Sequence, residues 1–216
     1  MKRILTILLV CFCVNLTGCA SLQNMLERVT VFTSSPKTES QKVVAALKAI
    51  STAHDAINNG ELADAKRSLD KALMLYPDQA PLHLAYARYY ELIDNQRLAA
   101  LAKQRASHMT FRAEALNKKG LTALEHYDNS RLAKDFFQLA IRYDPTNINA
   151  TTNLGLASLA DHDTQTAQYA LSTLRRLGHD SPTVVIMTMR LAQITGDNAM
   201  FAAASQQLSE RYQPKG

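Results

Sequence analysis

Cysteine is nearly absent. The 216-residue chain has three, Cys11, Cys13 and Cys19, and none in the 197 residues that follow. A domain folded from that remainder can form no disulfide, no cysteine-ligated zinc site and no thiol nucleophile, so its stability must come from packing. Histidine occurs six times, yet no two form an H-x-x-x-H or H-E-x-x-H pair. There is no G-x-S-x-G, no phosphate-binding glycine loop and no carboxylate cluster, which argues against an enzyme and against a bound cofactor or metal. Charge of one sign is also scarce: 24 Lys+Arg face 19 Asp+Glu. The excess is scattered, and its densest doublets, Lys118-Lys119 and Arg175-Arg176, read as solvated helix faces rather than a nucleic-acid stripe.

What is present begins at the N-terminus. Lys2 and Arg3 precede an apolar run from Ile4 to Val14, the layout of an export signal. The run is too short to cross a bilayer, which takes about 20 apolar residues. Leu16-Thr17-Gly18-Cys19 resembles the lipobox of bacterial lipoproteins, in which the cysteine is lipidated and becomes the first mature residue. That resemblance implies a signal peptide over 1–18, acyl chains such as palmitate on Cys19, and loss of Cys11 and Cys13. Ala20 and Ser21 are not the aspartate that retains such proteins in the inner membrane, so the implied address is the periplasmic face of the outer membrane. Export also argues against nucleic acid as a partner. Losing Lys2 and Arg3 leaves 22 basic against 19 acidic residues, about +3. Residues 19–42 read as a tether, with a weakly amphipathic piece at Leu22 to Phe32 and breakers at Ser34-Ser35-Pro36-Lys37.

From Gln41 the chain turns to long helix-forming runs without strand-like alternation, and Gly, Pro and Asn keep mostly to the junctions. Ala65, Ala99, Ala133 and Ala167 are spaced by 34 residues, and Ala72, Ala106, Ala140 and Leu174 repeat the spacing. Leu69, Lys103, Phe137 and Leu171 follow the same register, and Pro77 and Pro145 lie two periods apart. Gly60, Asp94, Tyr127 or Asp128, His162 and Gly196 supply turns between the helices of each pair. A 34-residue period of two helices is the signature of tetratricopeptide repeats. Small residues let paired helices approach, and the larger side chain four positions on fills the gap to the neighbour. The expectation is therefore all-α: a right-handed superhelical solenoid over 43–214, with five pairs at roughly 46–79, 80–113, 114–147, 148–181 and 182–214. Units two and five are degenerate, with Lys103 in an apolar slot and Met189 where Gly or Ala belongs. A last helix near Asn198 to Tyr212 caps the stack and leaves Gln206, Gln207, Glu210 and Arg211 to solvent. Asp161, Asp163 and Asp180 flank turns and are expected to cap helices.

The first helices of such pairs line a concave surface. The phasing puts His54, Leu84, Arg88, Asn117, Leu121, Leu124, Thr152, Leu156, Leu159, Ile186 and Arg190 on it. The lining is more apolar than a solvent face needs, and it lacks the Lys/Arg array that clamps an acidic chain terminus. It suits an amphipathic helix or apolar peptide, although each Leu or Ile equally suits packing between neighbouring helices. His54 is the one histidine placed on an inner helix; the other five, His83 among them, fall where exposure is expected.

From Arg112 to Tyr212 the order of features resembles the lipidated tetratricopeptide pilotins of type IV pilus biogenesis. It runs from Arg112-Ala113-Glu114-Ala115-Leu116-Asn117 through Phe136-Phe137, Asp144-Pro145 and Asn153-Leu154-Gly155-Leu156-Ala157 to Arg190-Leu191-Ala192-Gln193-Ile194-Thr195-Gly196-Asp197. The resemblance implies a non-catalytic lipoprotein that helps the secretin or another pilus component assemble in the outer membrane. Pilotins usually carry six repeats and this chain phases into five, so the lipoprotein of tight-adherence pili is a near alternative. A general envelope scaffold, serving outer-membrane protein insertion or cell-wall machinery, is the reading from another class.

Overall fold

The computed structural model describes residues 39–212; Cys19, the signal and most of the tether lie outside the described residues. Among those residues there are nine helices and no strand. They are α1 (Glu39–Asn58), α2 (Leu62–Leu75), α3 (Ala80–Leu92), α4 (Gln96–Tyr127), α5 (Ser130–Tyr143), α6 (Ile148–Ala160), α7 (Thr164–Arg176), α8 (Pro182–Thr195) and α9 (Asn198–Tyr212). Neighbours in sequence pack as hairpins, and α4 touches α6, and α6 touches α8, so the first helices of later pairs also stack on one another. The chain is an all-α solenoid of helix pairs. Helix α1 starts four residues before the expected domain start at 43.

The turns explain why the pairs form. Gly60, Asp94, Asp128, His162 and Gly196 all have positive φ, between 46° and 78°. Every expected turn residue therefore sits in the left-handed region that ends a helix, with Asp128 rather than Tyr127 in that role. A second signal lies one residue beyond four of these five turns. Asn95, Asn129 and Asp163 accept a hydrogen bond from the amide three residues on, and Asp197 accepts one from Met200. These four caps recur every 34 residues. Asp161 and Asp180 do not cap in this way: Asp161 closes the C-terminus of α6, and Ser181 rather than Asp180 caps α8.

Breaks between pairs have their own register. Pro77 and Pro145 follow Tyr76 and Asp144, both extended, which end α2 and α5. Two residues later Asn147, and in the next unit Ser181, cap the following helix. In the same register between units two and three stand Phe111 and Ala113. Neither can break or cap a helix. The expected boundary at 113/114 is accordingly not a boundary: α4 runs unbroken for 32 residues, about 48 Å, and serves as second helix of unit two and first helix of unit three.

The core divides along α4. Its N-terminal half gives Ala102 to a cluster holding Ala46, Ile50 and Ala53 of α1, Leu69 and Ala72 of α2, and Leu82, Ala85 and Tyr86 of α3. Its C-terminal half gives Ala113 and Ala123 to a cluster around Phe137, Ala140 and Leu154. A third cluster joins Leu159, Leu171, Leu174, Met187 and Leu191. The alanines of the 34-residue register, Ala65, Ala99, Ala133 and Ala167, are all buried. Lys103, the charged member of its register, leaves the core and pairs with Glu91 at 2.5 Å. Gly120 sits against Phe137 so closely that a Cβ there would lie 2.3 Å from the ring. Phe137 is fully buried, worth about 3 kcal/mol of transfer energy.

Candidate partner-binding face

The small residues Ala53, Ala87, Gly120 and Gly155 are buried toward their partner helices, and Met189, at the same position of unit five, is half-buried. At about 100° per residue, the positions three before and one after each lie about 60° and 100° round the helix, on one side. Two rows result: Ile50, Leu84, Asn117, Thr152 and Ile186; and His54, Arg88, Leu121, Leu156 and Arg190. They hold nine of the eleven residues expected to line a groove, with Ile50 as the one member outside that set. Leu84 is 54% exposed, Ile186 53% and Leu156 44%, a high value for large aliphatic side chains. Arg88 and Arg190 are exposed, and His54, Asn117, Leu121 and Thr152 are half-buried. Ile50 has turned into the core.

Two polar members tie adjacent helices. Asn153 donates to the Asn117 carbonyl at 2.9 Å, joining α6 to α4, and Arg88 donates to Asn58 at 3.0 Å, joining α3 to the end of α1. Arg190 donates to Gln193 of its own helix. Leu121 and Leu124 are half-buried and pack on the Phe137 cluster, so they form the floor beneath Asn117 and Leu156 rather than a free edge. Leu159 does not belong to the face. It is 4% exposed and locked among Leu171, Val184 and Met187, because α8 closes over it.

A second concavity has no counterpart in the sequence reading. Between α2 and α4, floored by α3, lies a cleft of about 420 Å³. On its wall Lys66 and the Tyr86 hydroxyl both donate to Asp70 at 2.7 Å. The Lys66 bond, then that of Tyr86, holds the Asp70 carboxyl below its ordinary range. The same Asp70 bond raises Lys66, and burial, aided by Asp70, pushes the Tyr86 phenol well up. His83, expected to be exposed, is 6% exposed. Its imidazole bonds the backbone of Pro77, which has no N–H and must accept through its carbonyl. Burial, with a smaller contribution from Arg105, lowers the His83 pKa against the opposing effects of the Pro77 backbone and Asp78. The missed signal was aliphatic residues on α4 flanking, rather than filling, its buried face: Leu98 and Leu101.

Among the described residues no three of His, Cys, Asp or Glu gather as a metal site, and no helix is long and apolar enough to cross a membrane. No family model and no curated protein matches the chain. Solved structures do match. One, determined in the functional characterization of PilF of Pseudomonas aeruginosa, is 19% identical, with 79% of this chain and 93% of that one covered and a TM-score of 0.34. Another is PilW, described as a widely conserved type IV pilus biogenesis factor. It is 16% identical, with 77% of this chain and 93% of that one covered and a TM-score of 0.30. Superpositions this loose carry no inference about what this chain binds.

Proposed function

We propose that the chain is a non-catalytic assembly factor of pilus biogenesis, anchored through lipidated Cys19 to the periplasmic face of the outer membrane. Its first-helix face holds an amphipathic or apolar segment of a pilus protein, the secretin in the leading case. One observation carries the binding part. Leu84, Leu156 and Ile186 stand on one side of the first helices of units two, four and five with about half of each side chain in water. Exposed aliphatic residues in two adjacent rows of one face, between arginines and amides, fit helix-in-groove recognition, where apolar anchors supply affinity and the polar rim supplies orientation. The pilus assignment rests on the sequence resemblance from Arg112 to Tyr212, and the anchor on the lipobox resemblance at Leu16 to Cys19.

The test is co-purification from detergent-solubilised envelopes, comparing the wild type with Leu84→Ser/Leu156→Ser/Ile186→Ser. These three side chains are exposed, so the variant should keep its helical circular dichroism. The wild type should recover a secretin or another pilus component, and the folded variant should lose it. Recovery of outer-membrane insertion or cell-wall proteins alone would replace the pilus reading with the general envelope scaffold.

A further inference from the structure

The repeat allows the cleft between α2 and α4 to be compared with its counterpart three periods later, between α7 and α9 over α8. Leu73 stands where Arg175 stands, His83 where Val185 stands, and Arg105 where Gln207 stands. The later cleft, about 310 Å³, pairs Arg175, Gln207 and Arg211 with its own acceptors. Arg175 donates to Thr188, Gln207 to Asp180, and Arg211 pairs with Asp180 across the opening. The earlier cleft is left open by the same substitutions. Leu73, Leu98 and Leu101 are 37%, 37% and 48% exposed around it, and the cation Arg105 is in no ion pair among the described residues. Lys66 is already neutralised by Asp70. The cleft thus offers an apolar lip and one uncompensated positive charge. Leu101 and Arg105 are four residues apart on α4, about 6 Å along the axis.

We propose that this cleft is a second peptide-binding site, independent of the first-helix face. It takes an amphipathic segment of a partner protein that carries an Asp or Glu side chain one helical turn from a large apolar anchor. The anchor lies among Leu73, Leu98 and Leu101, and the carboxylate meets Arg105. Complementarity decides the sign of the ligand: a basic segment would bring like charge to Arg105, and a purely apolar one would leave that guanidinium without a partner. His83 lies on the floor close enough to feel Arg105, together with Asp78, the Pro77 carbonyl and the Lys66–Asp70–Tyr86 network.

The probe is a dansyl-labelled amphipathic peptide of about 15 residues with leucine and glutamate at i, i+4 spacing on one face, beside the same peptide with glutamine for glutamate. Binding to the folded chain is read by fluorescence anisotropy, and the His83 ring signal is followed by NMR. The glutamate peptide should bind about tenfold more tightly than the glutamine peptide, the size of one charge-assisted contact. Arg105→Gln should erase that difference, and Leu101→Asn should weaken both peptides. Leu84→Ser/Leu156→Ser/Ile186→Ser should change neither, which separates this site from the one under Proposed function. The bound glutamate peptide should raise the His83 titration point by offsetting the charge of Arg105, whereas the glutamine peptide should not. The proposal fails if neither peptide binds at millimolar concentration. It fails equally if affinity is indifferent to Arg105→Gln and Leu101→Asn in variants whose circular dichroism is unchanged.

Discussion

Residues 109–114 and residues 143–148 occupy the same register of the repeat, one period apart, and do opposite things. At the later junction Pro145 makes Asp144 extended, the Asp144 carboxylate gathers the amide and hydroxyl of Thr146, and Asn147 caps α6. At the earlier one Phe111 and Ala113 continue α4. The flanking alanines keep their 34-residue spacing through both. Packing registers and chain breaks are thus encoded by different residues: alanines and their larger partners decide which helices touch, while one proline and one cap decide where a helix ends. Losing the second set at one junction fuses two helices without shifting the rest of the stack.

Moving the proline across the two sites breaks the comparison most sharply. Phe111→Pro places a proline within α4, where it removes an intrahelical hydrogen bond and clashes with the preceding turn. Urea denaturation should show a loss of about 3 kcal/mol or more. Pro145→Ala, at the junction already broken, should cost about 1 kcal/mol or less, mainly through the unfolded chain. Equal losses would mean that α4 is not continuous in solution.

The next largest effect separates the two glycines beside these junctions. A Cβ on Gly120 would lie 2.3 Å, 2.6 Å and 2.9 Å from three atoms of the Phe137 ring, a rigid group with no exposed side to retreat to. On Gly155 it would meet the flexible end of Met187 at 2.2 Å and Ala170 at 3.1 Å. Gly120→Ala should therefore destabilise by about 1–3 kcal/mol in thermal unfolding, and Gly155→Ala by less, because methionine can change rotamer.

Exchanging the caps sharpens the comparison at about 1 kcal/mol. Asn147→Ala removes an acceptor 2.8 Å from the Ala150 amide, so α6 should fray and stability fall by about 1 kcal/mol. Ala113→Asn should give no compensating gain. Ala113 is fully buried inside a helix with no free amide to cap, and the added amide group should cost about 1–3 kcal/mol.

The smallest effect is electrostatic. Lys134 of α5 meets Asp161 at 2.7 Å and Asp163 at 3.7 Å, tying unit three to the turn of unit four. The bond from Lys134, helped by Ser130, holds the Asp161 carboxyl below its ordinary value; the Thr166 amide and hydroxyl, more than Lys134, do so for Asp163. A folded-state pKa below the unfolded 3.8 contributes stability that is present above about pH 4 and lost as pH falls through the folded value. Lys134→Gln should lower stability at pH 7 by a few tenths of a kcal/mol, in keeping with partly exposed pairs. It should also flatten the acid limb below pH 4, as read by melting temperature against pH. An acid limb identical to the wild type would remove the ion pair from the account.

Much of this architecture is legible in the sequence. The alanine period located the pairs, and each expected turn residue has positive φ, because a left-handed residue is what a 34-residue hairpin requires between its helices. The caps at Asn95, Asn129, Asp163 and Asp197 are equally periodic, but the aspartate count near turns singles out only Asp163 among them and adds Asp161 and Asp180, which do not cap in this way. The fusion of α4 was written in Phe111 at the proline register, but it shows only once absent breakers are counted as carefully as present ones. Side-chain fate was less legible. Leu156 and Leu159 differ by three positions on α6, yet one is 44% exposed and the other 4%, because the closure of α8 is a tertiary event that periodicity does not report. His83 is buried for the same kind of reason, on a floor that α3 makes only once α2 and α4 pack beside it.

The central claim is that a pilus protein is held on the first-helix face, and photo-crosslinking in intact cells tests it most directly. A photoreactive residue replaces Leu84, Leu156 or Ile186 in turn, with Met74 and Tyr169 on second helices as controls; those two are 81% and 50% exposed. The account predicts adducts containing one secretin or other pilus component from all three first-helix positions and none from the two controls. Adducts from Tyr169 or Met74 with none from Leu84, Leu156 and Ile186, or adducts free of any pilus component, would contradict it.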